Sequence, residues 1–165
     1  MTLKALMLLA LLFFGQQSKT ETGIITGTVV PPDKTALRQP ITVVLLTGTY
    51  SEAWYQQAQE RGDSYWEQYK PMFGQKKELY FEVQERAYEE ALQYVLLRMQ
   101  RDLGAGVSRF RTTTNANGKF EFTNVTPGYY KVVAVGVAGT QRMFWQESLD
   151  VTAVPQFLQL KKHVP

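Results

Sequence analysis

The sequence contains no cysteine and a single histidine, His163. A chain without cysteine forms no disulfide, no thiolate zinc site and no thiol nucleophile, and it offers no cysteine for lipid attachment. One histidine cannot supply a metal site that needs several imidazoles, and it makes a Ser–His–Asp triad implausible. We therefore expect no catalytic residue, no metal site and no other cofactor.

The chain also has little excess charge of either sign. Its 165 residues include 18 Lys and Arg against 15 Asp and Glu, which gives a formal net charge of +3. Such a small and scattered excess provides no electrostatic surface for nucleic acid. Hydrophobic residues make up 44% and charged residues 20%, values typical of a folded globular chain, and the length predicts one domain.

The N-terminal segment has the pattern of a secretory signal peptide. Lys4 provides a positive charge, residues 5–14 (ALMLLALLFF) form an unbroken apolar run, and Gly15 ends it. The run is shorter than the roughly 20 residues that a spanning helix needs, so we expect no membrane span after cleavage. A buried N-terminal helix is the alternative. We predict a signal peptide at residues 1–18 and a domain at 19–165 that is secreted or retained in the periplasm or cell envelope, which suggests a bacterial source.

Strand patterns lie on both sides of a central segment. Residues 23–30 (GIITGTVV) are rich in β-branched residues, and residues 41–47 (ITVVLLT) are apolar enough for a strand that is covered on both faces. From residue 107 onward, short strand-like segments, including residues 141–146 and 148–151, are separated by turn residues. Among these turns, Asn117-Gly118 is a dipeptide typical of tight hairpins. Several short strands without intervening helices favour an antiparallel β-sandwich.

The central segment has a helical rather than a strand period. Its apolar residues recur at steps of three and four, which predicts helices over residues 49–69 and 76–103, separated by Pro71 and Gly74. The second helix would be about 40 Å long, so part of it should project beyond the sheet. We interpret residues 49–106 as an inserted helical hairpin. We expect the sandwich to fold without it, because surface insertions cost little loop entropy.

A family resemblance rests on the stretch from Thr114 to Tyr130 (TNANGKFEFTNVTPGYY). This stretch resembles the signature of carboxypeptidase regulatory-like domains. The resemblance implies a transthyretin-like (prealbumin-like, carbohydrate-binding-like) antiparallel sandwich of seven strands, a fold that serves as companion, adaptor or binding module in exported proteins. The motif positions, for which we expect structural roles, are Asn115, Asn117, Gly118, Phe120, Phe122, Pro127, Gly128 and Tyr130.

Enzymes on similar sandwiches need side chains that the chain lacks. Transthyretin-related ureide hydrolases and intradiol dioxygenases require more histidine, and isopeptide-forming adhesins require a first-strand Lys that residues 23–30 do not contain. The acidic pair Glu89-Glu90 is more simply a solvated helix face. A Ca²⁺ site at Asn115 and Asn117 would have no well-placed carboxylate, which favours a plain turn. We therefore expect that the protein is not an enzyme.

Aromatic residues are concentrated in the first half of the insertion. We expect Tyr55 and its helical neighbours at steps of three and four to pack on the second helix. Trp54 and Trp66 then lie either at the margin of that contact or on an exposed platform. Phe144 and Trp145 are neighbours on a predicted strand, so one of them should point out of the sandwich. The candidate binding surface is Trp54, Trp66 and Trp145.

These observations predict a module that acts without catalysis. The first hypothesis is protein interaction or structural support at the cell envelope, with the long helix as the docking surface. The second is carbohydrate binding through exposed aromatic rings, and the third is an unrecognised enzyme. The expected partner is an envelope or extracellular protein, or a glycan, and not nucleic acid.

Overall fold

The structure, a computed structural model, describes residues 21–32, 35–37 and 40–161. The predicted signal peptide and His163 lie outside these residues. The elements in chain order are β1 (Gly23–Val30), β2 (Thr42–Thr47), α1 (Gly48–Phe73), α2 (Lys77–Leu103), a 3₁₀ helix (Gly104–Phe110), β3 (Arg111–Thr113), β4 (Lys119–Val125), β5 (Gly128–Ala138), β6 (Gln141–Val151) and β7 (Gln156–Lys161).

The strands form two sheets that pack face to face, and the helices add a third layer. The three-stranded sheet has the order β4-β1-β7, and the four-stranded sheet has the order β3-β2-β5-β6. The helices cover the other face of the four-stranded sheet. The predicted class, a mainly β sandwich with an inserted helical hairpin, is confirmed.

One strand pair departs from the expected antiparallel arrangement. β7 pairs with β1 in parallel, with Ile25 beside Gln156 and Val30 beside Lys161. After β6 the chain crosses from the four-stranded to the three-stranded sheet and joins the free edge of β1 in the direction of that strand. The other strand pairs of the described residues are antiparallel.

The first core lies between the two sheets. Alternate residues of β1 and β4 point inward, among them Ile25, Phe120 and Phe122, and each of these is buried. Phe120 and Phe122 therefore occupy the core positions that their spacing predicts. The four-stranded sheet contributes inward residues of β2, β5 and β6, among them Val43, Leu45, Val132, Ala134, Met143 and Trp145.

The second core lies between the four-stranded sheet and the helices. Val44 and Leu46 of β2 point away from the first core and are fully buried here, together with Val133 of β5. The prediction that β2 is covered on both faces is confirmed. The helical members of this core are Tyr50, Ala53, Trp54 and Ala58 of α1, and Tyr88, Ala91, Leu92, Val95, Leu96 and Met99 of α2.

The turn at Asn117-Gly118 differs from the expected tight hairpin. It joins β3 and β4, which belong to different sheets, and of its two residues only Gly118 has a positive φ, of 74°. The Asn115 side chain closes the turn, because its Oδ1 accepts from the N–H of Asn117 at 2.9 Å and of Lys119 at 3.0 Å. A Cβ at Gly118 would lie 2.8 Å from the Val29 carbonyl oxygen, so this position requires glycine.

The Pro127-Gly128 turn leads from β4 of one sheet into β5 of the other. Tyr130 then points into the first core, and its hydroxyl donates to the Thr126 carbonyl oxygen at 3.0 Å. Burial raises the pKa of Tyr130, so the phenol stays neutral and keeps this hydrogen bond across the neutral pH range. The tyrosine thus fixes the corner between the two sheets.

Three element boundaries differ from those expected. α1 continues through Pro71 and ends two residues later, at Phe73. Residues 107–110 belong to the 3₁₀ helix rather than to a strand. β6 is one strand over Gln141–Val151 where two were expected, since β5 pairs with it along its whole length.

The second core contradicts the expectation that the sandwich folds without the hairpin. Replacing residues 50–103 with a short Gly/Ser linker would expose Val44, Leu46 and Val133, at a cost of about 1.5–3 kcal/mol for each large side chain. Since a domain has only about 5–15 kcal/mol of stability, we expect an unfolded or aggregated product. Circular dichroism and size-exclusion chromatography measure this. A monomeric product with a cooperative β-type melt would contradict it.

Candidate functional site

Two of the three tryptophans lie in the interior. Trp54 has no exposed surface, its indole N–H donates to the Tyr88 carbonyl oxygen at 3.2 Å, and its ring lies 5.5 Å from that of Phe144 between centroids. Trp145 points into the first core and donates to the Val30 carbonyl oxygen at 3.1 Å. The predicted binding surface is therefore wrong for Trp54 and Trp145. The helices cover the sheet face to which Phe144 points, so both faces of β6 are packed here.

Trp66, the third tryptophan, is 41% exposed on the half of α1 that lies beyond the second core. It lines an open cleft of about 510 Å³ between α1 and α2, which we call the interhelical cleft. The cleft is lined by Tyr55, Ala58, Gln59, Gly62, Asp63, Trp66, Phe73, Tyr80, Val83, Gln84, Ala87 and Tyr88.

Aromatic rings mark both ends of the interhelical cleft. At one end, the Trp66 ring lies 5.1 Å from that of Phe73 and 5.9 Å from that of Tyr80, and Phe73 and Tyr80 are 5.7 Å apart. These neighbours fix the indole while leaving part of it open. At the other end is Tyr55, which is 53% exposed. Trp66 follows Tyr55 by eleven positions, which is about 16 Å along the axis of α1.

Small residues keep the middle of the interhelical cleft open. Ala58 and Gly62 of α1 and Ala87 of α2 line this part. Apart from the adjacent residues and nearby backbone of α1 itself, no atom lies within 4 Å of the place where a Cβ at Gly62 would be. A glycine in a helix interior costs about 1 kcal/mol relative to alanine. In α1, Gly62 leaves open space beside the exposed rings of the cleft.

Polar side chains lie between the two aromatic ends. Gln59 and Asp63 are one helical turn apart on α1, and Gln84 lies on α2; all three are exposed. The Gln84 side-chain amide donates to the Tyr80 hydroxyl at 2.8 Å. Of the described residues that line the cleft, Asp63 alone carries a charge. The cleft therefore combines aromatic surface with amide and carboxylate groups, an arrangement typical of small-ligand sites.

Outside the cleft, Glu90 links the two helices. Its carboxylate accepts from the Tyr65 hydroxyl at 2.6 Å, from Arg86 Nε at 2.8 Å and from Arg61 Nη1 at 3.4 Å. The hydrogen bond from Tyr65 and, next, that from Arg86 lower the pKa of Glu90, against the effect of partial burial. Burial, followed by the bond to Glu90, raises the pKa of Tyr65. Glu90 thus joins the helices, where the sequence suggested only a solvated face.

A second groove, of about 690 Å³, lies between α2 and the β5–β6 turn. Its two arginines are paired within the fold: Arg86 contacts Glu90, and Arg142 contacts Glu89. Phe81 is the one aromatic residue among the described residues that line it. The interhelical cleft is the stronger candidate, because five of its lining residues are aromatic, among them Tyr55 and Trp66.

The described part of the chain has no grouping of three or more His, Cys, Asp or Glu side chains that resembles a metal site. At the turn considered for Ca²⁺, the Asn115 side-chain oxygen accepts from two backbone N–H groups, which accounts for its position without a cation. Within residues 21–32, 35–37 and 40–161, no helix is both long and apolar enough to cross a membrane.

Sequence reasoning identified Trp66 but missed its neighbours. It placed Tyr55 in the contact between the helices, whereas this ring is exposed at the edge of the cleft. It gave no functional role to Tyr80 or to Gly62. A signal was present: Ala58 and Gly62 put small residues at i and i+4 on one helix face, which is where a helix pair has room for a cleft.

Acid should loosen the link between the helices. The pKa of Glu90 is lowered in the folded state, so the unfolded chain binds the proton more tightly, and stability rises with pH between the two values. The stabilisation that Glu90 contributes is fully present above its ordinary pKa of about 4.5. It is lost as the pH falls through the lower pKa that Glu90 has in the folded protein. We expect thermal melts between pH 7 and pH 3 to show a smaller acid decrease in Glu90→Gln than in the wild type. An equal decrease in both proteins would contradict this assignment.

Comparisons with known proteins concern the fold alone. No protein-family model and no curated protein matches the chain. The pilus backbone protein RrgB of Streptococcus pneumoniae is 15% identical over 79% of this chain, with a TM-score of 0.34, and the chain spans 33% of its length. A candidate carbohydrate-binding protein from Pseudomonas aeruginosa is 14% identical over 87% of this chain and 90% of its own, with a TM-score of 0.40. The carboxypeptidase regulatory-like assignment stays a prediction.

Proposed function

We propose that this protein is an exported, non-catalytic binding module of the cell envelope that holds its partner in the interhelical cleft. The observation that carries the proposal is the open space at Gly62, between the exposed rings of Tyr55 and Trp66. Exposed rings of this size contribute much binding free energy when a partner covers them, because they bury a large area at a small cost in side-chain entropy.

The division of the hairpin supports this choice of site. The second core uses residues 50–58 of α1 and 88–99 of α2, and these parts complete the fold. Trp66, Phe73 and Tyr80 lie outside that core and contact one another. Aromatic residues that the sheet does not need are therefore available to a partner.

The chemistry of the cleft supports binding rather than catalysis. Its described lining offers one carboxylate, from Asp63, and two amides, from Gln59 and Gln84, beside rings and small apolar residues. The described lining contains no histidine and no second carboxylate to pair with Asp63 for acid–base catalysis. Export is supported by the apolar run at residues 5–14, whose length and flanks are those of a signal peptide.

Protein docking on α2 is a second candidate function. Leu97 is 73% exposed and Tyr94 is 44% exposed, and the two lie three residues apart on α2. Neighbouring exposed apolar side chains of this kind are enriched at protein interfaces. This surface is distinct from the interhelical cleft, so variants can separate the two.

Co-sedimentation with envelopes isolated from the producing cells tests the proposal. Gly62→Leu should weaken the apparent affinity at least tenfold, because leucine fills the open space, while the melting temperature stays the same or rises. Ser64→Leu puts the same side chain on an exposed position outside the cleft and should bind like the wild type.

Two results would overturn the proposal. One is the absence of sedimentation for the wild type. The other is loss of binding in Leu97→Ser with full binding in Gly62→Leu, which would assign the function to the surface of α2. The intact mass of the envelope-bound protein tests export, since the signal-peptide prediction requires a mature chain that begins between Gln16 and Lys19.

A further inference from the structure

We infer that the ligand of the interhelical cleft is a neutral glycan chain of several sugar units; this inference rests on the binding function proposed above. The aromatic ends of the cleft, Tyr55 and Trp66, are about 16 Å apart along α1, by 1.5 Å per residue over eleven residues. That length exceeds a single sugar ring and suits an extended oligosaccharide that contacts a ring at each end.

The ring geometry fits the apolar face of a sugar. Phe73 and Tyr80 hold the Trp66 indole in place, at 5.1 Å and 5.9 Å between ring centroids. A sugar ring has one face composed of C–H groups, which can stack on such an indole without hydrogen bonds. Because the indole is already fixed, stacking costs little side-chain entropy.

The polar groups fit the hydroxyls at the edge of a sugar. Gln59 and Asp63 follow one another on α1 between the two aromatic ends, and Gln84 faces the cleft from α2. Side-chain amides donate and accept, and the carboxylate accepts, so together they can pair with neighbouring hydroxyls, which also donate and accept. A ligand with apolar faces and hydroxyl edges therefore satisfies both kinds of lining residue.

Other ligand classes fit less well. An apolar peptide helix would cover Gln59, Asp63 and Gln84 without pairing them, at a cost of about 1–3 kcal/mol for each buried polar group. A peptide that binds by strand addition needs a free strand edge, and the cleft is formed by two helices. Anionic sugars and phosphates find no cation among the described residues that line the cleft, where Asp63 would repel them. These comparisons select an uncharged glycan.

Titration with defined tetrasaccharides tests this inference. The probes are cellotetraose, maltotetraose and chitotetraose, which are neutral, and tetragalacturonic acid, which is anionic. We expect at least one neutral probe to bind in isothermal titration and to change the tryptophan fluorescence, because Trp66 is exposed while Trp54 and Trp145 are buried. The anionic probe should bind at least tenfold more weakly.

Variants locate the bound sugar. Trp66→Ala and Gly62→Leu should each lower the affinity at least tenfold, and Trp66→Phe should retain binding without the fluorescence change. Tyr129→Ala removes a still more exposed ring from β5, and Ser64→Leu adds a side chain outside the cleft; both should bind like the wild type. Melting temperatures of all variants distinguish lost binding from lost folding.

The outcomes separate this inference from the proposed function. If no neutral tetrasaccharide binds although Gly62→Leu abolishes binding to envelopes, the glycan inference is overturned and the cleft remains the binding site for a ligand of another class. Binding of a neutral probe that survives both Gly62→Leu and Trp66→Ala overturns the inference as well. Absence of binding to both envelopes and sugars overturns the inference and the proposed function together.

Discussion

The structure depends on one constraint, which is that the four-stranded sheet is apolar on both faces. Val43 and Leu45 of β2 point to the opposite sheet, whereas Val44 and Leu46 point the other way, and all four are fully buried. A sheet that exposed either face would lose several kcal/mol of hydrophobic stabilisation. The hairpin between β2 and β3 is therefore a third layer of the fold rather than an addition to a finished sandwich.

This constraint divides the hairpin into two parts. The part near the sheet contributes Trp54, Val95 and Met99 to the second core and is fixed by packing. In the part beyond that core, α1 and α2 contact each other, through Glu90 on one side and through the rings around Trp66 on the other. A rigid base that carries a partly open end is a suitable arrangement for a binding site, since the base limits the entropy lost on binding.

The sequence predicts the layers of the fold better than the site. Apolar runs, helical periods and the motif from Thr114 to Tyr130 identified the strands, the two helices and the inward positions of Phe120 and Phe122. The double-sided apolar pattern of residues 41–47 already implied a cover on both faces. The interpretation of residues 49–106 as a dispensable surface insertion leaves out this consequence, because it assigns the hairpin no part in the core.

The tryptophans show why the site was harder to predict. Trp54 and Trp66 belong to the same helix, yet one lies above the sheet and the other beyond the second core. Helix periodicity does not predict where along the helix the sheet ends. Trp145 and Phe144 point to opposite faces of β6, as predicted for neighbouring strand residues. The face of Phe144, which was expected to meet solvent, is covered by the helices. The open space at Gly62 depends on the distance between α1 and α2, which cannot be predicted from the amino-acid composition.

Native-state hydrogen exchange tests the division of the hairpin most directly. Amides of residues 54–58 and 91–99 should exchange only when the whole domain unfolds, because they belong to the second core. Amides of residues 66–73 and 80–84 should exchange through smaller openings, and a ligand in the interhelical cleft should slow them. Equal protection along both helices, unchanged by a bound ligand, would contradict the account.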